Sequence, residues 1–105
     1  MKITTVNLGG RLKVFPHKLI MLEGSINYSI AHFEDGTKRI VATTLKDLEP
    51  RLRDFGFFRT HKSYIVNLRF VQTLNANIVF LNYKLNAAIS RRRKQSFEQF
   101  LHDYQ

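Results

Sequence analysis

The sequence predicts an all-β dominated fold: sandwich-like sheets of short antiparallel strands, with one short internal helix and one C-terminal helix. Two observations carry this. Short apolar runs are separated throughout by turn residues such as Gly9-Gly10 and Asp35-Gly36, the spacing expected of short strands rather than helices. Only two stretches have helical periodicity, Leu45, Leu48, Leu52 and Phe55 in the middle and Phe97, Phe100, Leu101 and Tyr104 at the end.

The elements follow in order. Ile3 to Leu8 and Arg11 to Phe15 flank Gly9-Gly10 as a hairpin, and Leu19 to Leu22 follows Pro16 as a third strand. Tyr28 to Phe33 and Lys38 to Thr43 form a second hairpin around Glu34-Asp35-Gly36-Thr37, where Asp-Gly supplies the positive φ of a tight turn. Thr44 and Asp47 read as a capping box opening the internal helix. Pro50 lacks an amide donor and crowds the preceding turn, so this helix is expected to stop or kink around Glu49. Strands are then expected over Phe57 to Arg59, Tyr64 to Leu68, Phe70 to Leu74, Ile78 to Leu81 and Lys84 to Ile89, with a turn at Asn82-Tyr83. Ser90 is the expected N-cap of the last helix, whose apolar face packs on the β core.

A chain of 105 residues has room for one core, because single domains run about 100 to 150 residues. One domain over 1–105 is therefore expected. Its 44% hydrophobic content and nine Phe can fill such a core. The absence of Cys excludes a disulfide framework, a thiolate metal site and thiol-based sensing within the chain. No apolar run reaches the length of a membrane span, and Met1 to Gly10 lacks the blocks of a signal peptide, so a cytoplasmic protein is expected.

The net charge of +9 points to a polyanionic partner, nucleic acid first and an anionic membrane surface second. The charge is uneven. Residues 1–50 hold seven Lys/Arg against five Asp/Glu, and residues 51–105 hold ten against three, which places the binding surface in the second half.

Two segments stand out there. Arg91-Arg92-Arg93-Lys94 occupies the first turn of the final helix, where cations oppose the positive end of the helix dipole at a cost of about a few tenths of a kcal/mol per charge. A phosphate would relieve that cost through the free backbone N–H groups and these side chains. The competing reading is a solvated basic run. The second segment, Phe58-Arg59-Thr60-His61-Lys62-Ser63-Tyr64-Ile65-Val66-Asn67, is donor-rich in its first half and strand-like in its second. It reads as an exposed loop running into the core, with Arg59, Lys62 and Ser63 able to donate to phosphates. Its competing reading is an ordinary basic loop.

This segment, with Phe57 ahead of it, resembles the signature of LytTR DNA-binding domains, F-x-R-x-H-[basic]-S-[aromatic]-[apolar]-V-N. Leu22-Glu23-Gly24, Asn27-Tyr28, Asp35-Gly36, Thr44-Leu45 and Ile89-Ser90-Arg91-Arg92 stand in the family's order, so the resemblance runs from about Ile20 to Leu101. It implies an elongated core of short strands in about three antiparallel sheets, reading successive major grooves through loops. It also implies base-reading positions at Asn27, Lys62 and Arg91. Asn can pair with adenine, and Lys and Arg with guanine, but the side chains vary within the family, so base identity does not carry over. Asn27 also has a plain structural reading as a turn residue. Phosphate contacts are expected from Arg59, His61, Ser63, Arg92, Arg93 and Lys94, although His61 also fits a hydrogen-bonded structural role. Asn67 is expected to satisfy turn backbone groups.

Many members of that family carry a receiver domain, for which this chain has no space. A stand-alone regulator or an excised domain are both open, with Met1 favouring the former. A membrane-bound inhibitor or a missing receiver domain are candidate partners, as is a second copy on tandem half-sites. His17, His32, His61 and His102 show no metal-ligand spacing, and no carboxylate pair, nucleophile triad or phosphate-cradling glycine loop is present. No enzyme activity, cofactor or small-molecule substrate is expected. Two alternatives to sequence-specific binding of double-stranded DNA are a nonspecific nucleic-acid-binding accessory protein, for which charge alone would suffice, and a module whose basic loops dock an acidic protein.

Overall fold

The computed structural model describes residues 4–104. The first expected strand begins at Ile3, which lies outside the described residues. Among these residues ten strands, β1 (Val6–Gly9), β2 (Leu12–Val14), β3 (Leu19–Gly24), β4 (Ser29–Phe33), β5 (Lys38–Val41), β6 (Phe57–His61), β7 (Tyr64–Asn67), β8 (Val71–Asn75), β9 (Ile78–Leu81) and β10 (Asn86–Ala88), accompany two α-helices, α1 (Leu45–Leu52) and α2 (Arg91–Tyr104). The strands form three antiparallel sheets: β1-β2, β5-β4-β3-β7-β6 and β10-β9-β8.

The five-stranded sheet is the middle layer, because side chains alternate across a strand and each face needs a cover. Leu22, Ala31, Phe57 and Ile65 point to one face, where they join Val6, Leu8 and Val14 of the small hairpin and Leu45, Leu48 and Leu52 of α1. Met21 and Val66 point to the other, with Val79, Leu81 and Ala87 of the three-stranded sheet and Phe97 of α2. Neighbours Phe57 and Phe58, and Ile65 and Val66, therefore serve opposite cores. The alternation breaks where a bulge lies between Leu19 and Met21; the extra residue lets Ile20 and Met21 both serve the second core.

Local chemistry departs from expectation in several places. α1 does not stop at Glu49 but runs through Pro50 to Leu52, continuing as a 3-10 turn over Arg53–Phe55. Leu48 and Leu52 are fully buried, and this anchoring outweighs the bond that proline removes. The capping box does not form: the Thr44 hydroxyl makes no cap hydrogen bond, and the Thr44 carbonyl instead accepts from the amides of Asp47 and Leu48 at 3.1 Å each. Phe70 lies in a 3-10 turn, Leu68–Phe70, rather than in a strand. The turn after β9 extends over Asn82–Lys84 with Tyr83 and Lys84 at positive φ, which shortens β10 to three residues.

The Asp35-Gly36 turn is built as expected. The Asp35 carboxylate accepts from the amide and hydroxyl of Thr37 at 2.9 and 2.6 Å, and these bonds hold its pKa below the ordinary value. Gly56 joins α1 and its 3-10 extension to β6 at φ 83°, and a Cβ there would lie 2.8 Å from the Tyr104 ring. Gly56→Ala is expected to cost about 1–2 kcal/mol, the left-handed strain plus the clash. Adding Tyr104→Ala should recover only the part due to the clash, as measured by urea denaturation.

Candidate nucleic-acid interface

Three loops meet at one end of the central sheet. The first, residues 25–28, joins β3 to β4, where Gly24 pairs with Ser29, and it is closed by the Ser25 amide donating to the Tyr28 carbonyl at 2.8 Å. It exposes Ser25, Ile26, Asn27 and Tyr28. The second is the two-residue turn Lys62-Ser63 between His61 and Tyr64, the last cross-strand pair of β6 and β7. Because β3 pairs with β7, the Gly24 amide donates to the Ser63 carbonyl at 2.8 Å, setting the two loops side by side. The third is the entry to α2, where the Ser90 amide donates to the Thr60 carbonyl at 2.9 Å. Asn27, Lys62 and Arg91 are thus brought to one end of the molecule, and all three are exposed.

Thr60 makes this convergence possible. A bulge between Arg59 and His61 interrupts the β6–β7 register, turning the fully buried Thr60 toward β10, where its hydroxyl donates to the Ala88 carbonyl at 2.8 Å. One residue therefore fastens both β10 and the start of α2 to the strand that ends in the Lys62 turn. The fourth loop at this end, the two-residue turn Ala76-Asn77 between β8 and β9, is tied in by the Ile89 amide donating to the Asn77 carbonyl at 2.9 Å. Sequence reading left it unassigned; its signal was the pair of asparagines around Ala76, which takes φ 54°.

The Lys62 turn is braced from below. Arg59 donates through Nη2 to the Lys62 carbonyl at 2.8 Å and through Nη1 to Glu49 of α1 at 3.3 Å. Its side chain is only 17% exposed, so the guanidinium is engaged in holding the turn rather than presented to solvent. Arg93 donates to the Arg59 carbonyl at 3.1 Å, linking α2 to the same brace. Arg59→Ala should leave the carbonyl and carboxylate without this donor and cost about 1–2 kcal/mol. The exposed Lys62→Ala should change stability by less than about 0.5 kcal/mol, a contrast that paired urea melts would read.

His61 is half-buried, and its Nδ1 accepts from the Ser63 amide at 3.1 Å. That bond places the proton of the neutral ring on Nε2. Ser63, Arg93 and Lys94 are half-buried and Arg92 is exposed. The Ser90 hydroxyl, expected to cap α2, is buried without a partner; the Ser90 carbonyl instead accepts from the Arg93 amide at 3.0 Å. Asn67 does satisfy turn groups, accepting from the Arg69 amide at 3.0 Å and donating to the carbonyls of Pro16 and Leu19.

Electrostatically the end is one-sided. The first turn of α2 holds no acidic residue, and among the described residues neither Lys62 nor any of Arg91 to Lys94 has a carboxylate within 4.0 Å. A groove of about 420 Å³ runs between the first two loops and the start of α1, lined by Ser25, Ile26, Lys46, Arg59, Lys62 and Ser63 among others. Lys46 was missed in the sequence because nothing local ties the first turn of α1 to a loop 16 residues later. Among the described residues, no helix is long and apolar enough to cross a membrane.

The comparisons agree with this architecture. The LytTR DNA-binding domain family model matches residues 10–102. The chain is similar in structure to the LytTr DNA-binding domain of a Bacillus cereus protein described as a methyl-accepting/DNA response regulator. That match has a TM-score of 0.76 at 19% identity, covering 96% of this chain and 97% of the other. No curated protein matches the chain significantly. With the family model spanning nearly its whole length, the chain belongs to the LytTR family of DNA-binding domains, which act in transcription regulation.

Proposed function

We propose that the chain is a sequence-specific binder of double-stranded DNA in bacterial transcription regulation, inserting its loops into successive major grooves at repeated half-sites. The observation that carries this reading is the convergence of the Asn27, Lys62 and Arg91 loops on one end, where Lys62 and Arg91 to Lys94 have no acidic partner among the described residues while Arg59 is paired with Glu49. In this reading Asn27, Lys62 and Arg91 reach base edges, where loop side chains on a rigid sheet can discriminate hydrogen-bonding patterns. Arg92, Lys94, Ser63 and the Nε2–H of His61 contact phosphates, and Arg93 adds charge while tied to β6. Arg59 serves by bracing the turn, with its charge a secondary contribution to phosphate attraction. Binding by two copies at half-sites about one helical turn apart follows if the end engages one face of the duplex. In this reading the protein acts in the cytoplasm, without catalysis or cofactor, and a membrane-bound inhibitor or a missing receiver domain is a candidate partner.

Selection of bound duplexes from a random pool, with the purified chain at near-physiological salt, tests the reading. Paired short blocks separated by about one turn are expected. Bulk binding without enrichment, weakening steeply with salt, would instead identify a nonspecific nucleic-acid binder. Binding to an acidic protein that survives excess duplex would identify a protein-docking module.

A further inference from the structure

Ile26 is 89% exposed, the most exposed of the large hydrophobic residues among those described. It belongs to neither core, and a four-residue hairpin loop in water has no conformational need for a β-branched apolar side chain, since turns favour Gly, Asn, Asp and Ser. Single exposed apolar residues are ordinary on protein surfaces; the position of this one is not. It precedes Asn27 on the loop and forms a wall of the groove that Lys46, Lys62 and Ser63 also line. A surface that combines cations with one apolar side chain fits a partner that is anionic overall and apolar at one point. Duplex DNA presents that combination in the major groove, where thymine alone among the bases carries a methyl group at C5.

We infer that Ile26 is a specificity-determining residue that packs on a thymine C5-methyl in the major groove, beside the bases reached by Asn27 and Lys62. This assignment rests on the DNA-reading function proposed above. The Gly24–Ser63 hydrogen bond holds the two loops side by side. The thymine should therefore lie within about three base pairs of the position that depends on Lys62, given a rise of about 3.4 Å per step.

The test uses the duplex enriched by the intact chain, resynthesised with deoxyuridine replacing thymine one position at a time, a change that removes only the methyl. Affinities are measured by fluorescence anisotropy at fixed salt for the unaltered chain and for Ile26→Ala and Ile26→Leu. One uracil should weaken binding by the unaltered chain about fourfold, as expected for losing burial of one methyl-sized group. Ile26→Ala should bind the thymine duplex more weakly and be indifferent to that uracil, whereas Ile26→Leu should keep the sensitivity. An enriched site that depends on Lys62 and Arg91 but tolerates uracil everywhere overturns the Ile26 assignment alone, as does an equal uracil effect in Ile26→Ala. A pool that yields no enriched site overturns it together with the reading on which it rests. Because Ile26 is exposed, both variants should fold as the unaltered chain does, which circular dichroism checks.

Discussion

Phe97→Ala is expected to lower stability by about 3–5 kcal/mol, the range for removing a fully buried aromatic side chain and leaving a cavity. Phe97 has no exposed surface and is the largest of the fully buried side chains. It packs edge-on against Phe58 of β6 at a centroid distance of 5.3 Å, so the variant loses both the transfer energy and a favourable ring geometry. Phe100 also meets Phe58, at 5.4 Å, but is half-buried, and Phe100→Ala should cost less. Since domains of this size are stable by only about 5–15 kcal/mol, Phe97→Ala should bring the chain near its unfolding threshold. A shift in the urea midpoint at constant slope would confirm the effect; a change under about 1 kcal/mol would mean that α2 is not anchored through this ring.

The docking of α2 illustrates which features the sequence makes legible. Phe97, Phe100 and Leu101 recur at helical spacing and mark the buried face that the fold uses, whereas Tyr104, expected on the same face, is 48% exposed and stands outside the core. The Asp35-Gly36 turn is equally local, because its geometry comes from a carboxylate and an amide two residues apart. Pro50 misleads for the complementary reason: its cost is local and visible, whereas the burial of Leu48 and Leu52 that offsets it depends on strands far away in the chain. The bulges between Leu19 and Met21 and between Arg59 and His61 leave no compositional mark, yet the second orients the whole loop end.

The same division applies to the candidate site. Basic character and the Phe57 to Asn67 motif point to this end of the molecule, but the stretch expected as an exposed loop is strand β6 as far as His61, with Thr60 fully buried and only Lys62-Ser63 turning; the exposure of Asn27, Lys62 and Arg91 is compatible with the roles expected of them. Arg59 differs because a cation in a strand gives no sign of which way it points; its partners, Glu49 and the Lys62 carbonyl, are defined by the packing of α1 against β6. Ser90 has the right residue type at the right position for a cap, but its hydroxyl is buried beside β6 and reaches no amide. Lys46 enters the groove only through tertiary structure.

Lys62→Ala and Arg91→Ala should each reduce the preference for a selected site over random duplex by about tenfold to a hundredfold, since one bidentate base contact discriminates by about 1–3 kcal/mol. Their effects should combine multiplicatively unless the two side chains share a base step, because additivity holds for separate contacts. Neither residue is buried, so both variants should melt within about 0.5 kcal/mol of the unaltered chain. Nonspecific binding provides the discriminating control. Arg92→Ala should weaken binding to specific and random duplex alike and reduce the salt slope by about one, the behaviour of a phosphate contact. Lys62→Ala and Arg91→Ala should instead collapse the ratio between the two duplexes. If both variants retained the full ratio while losing affinity in parallel, these side chains would be phosphate contacts, and base reading would have to reside in the 25–28 loop.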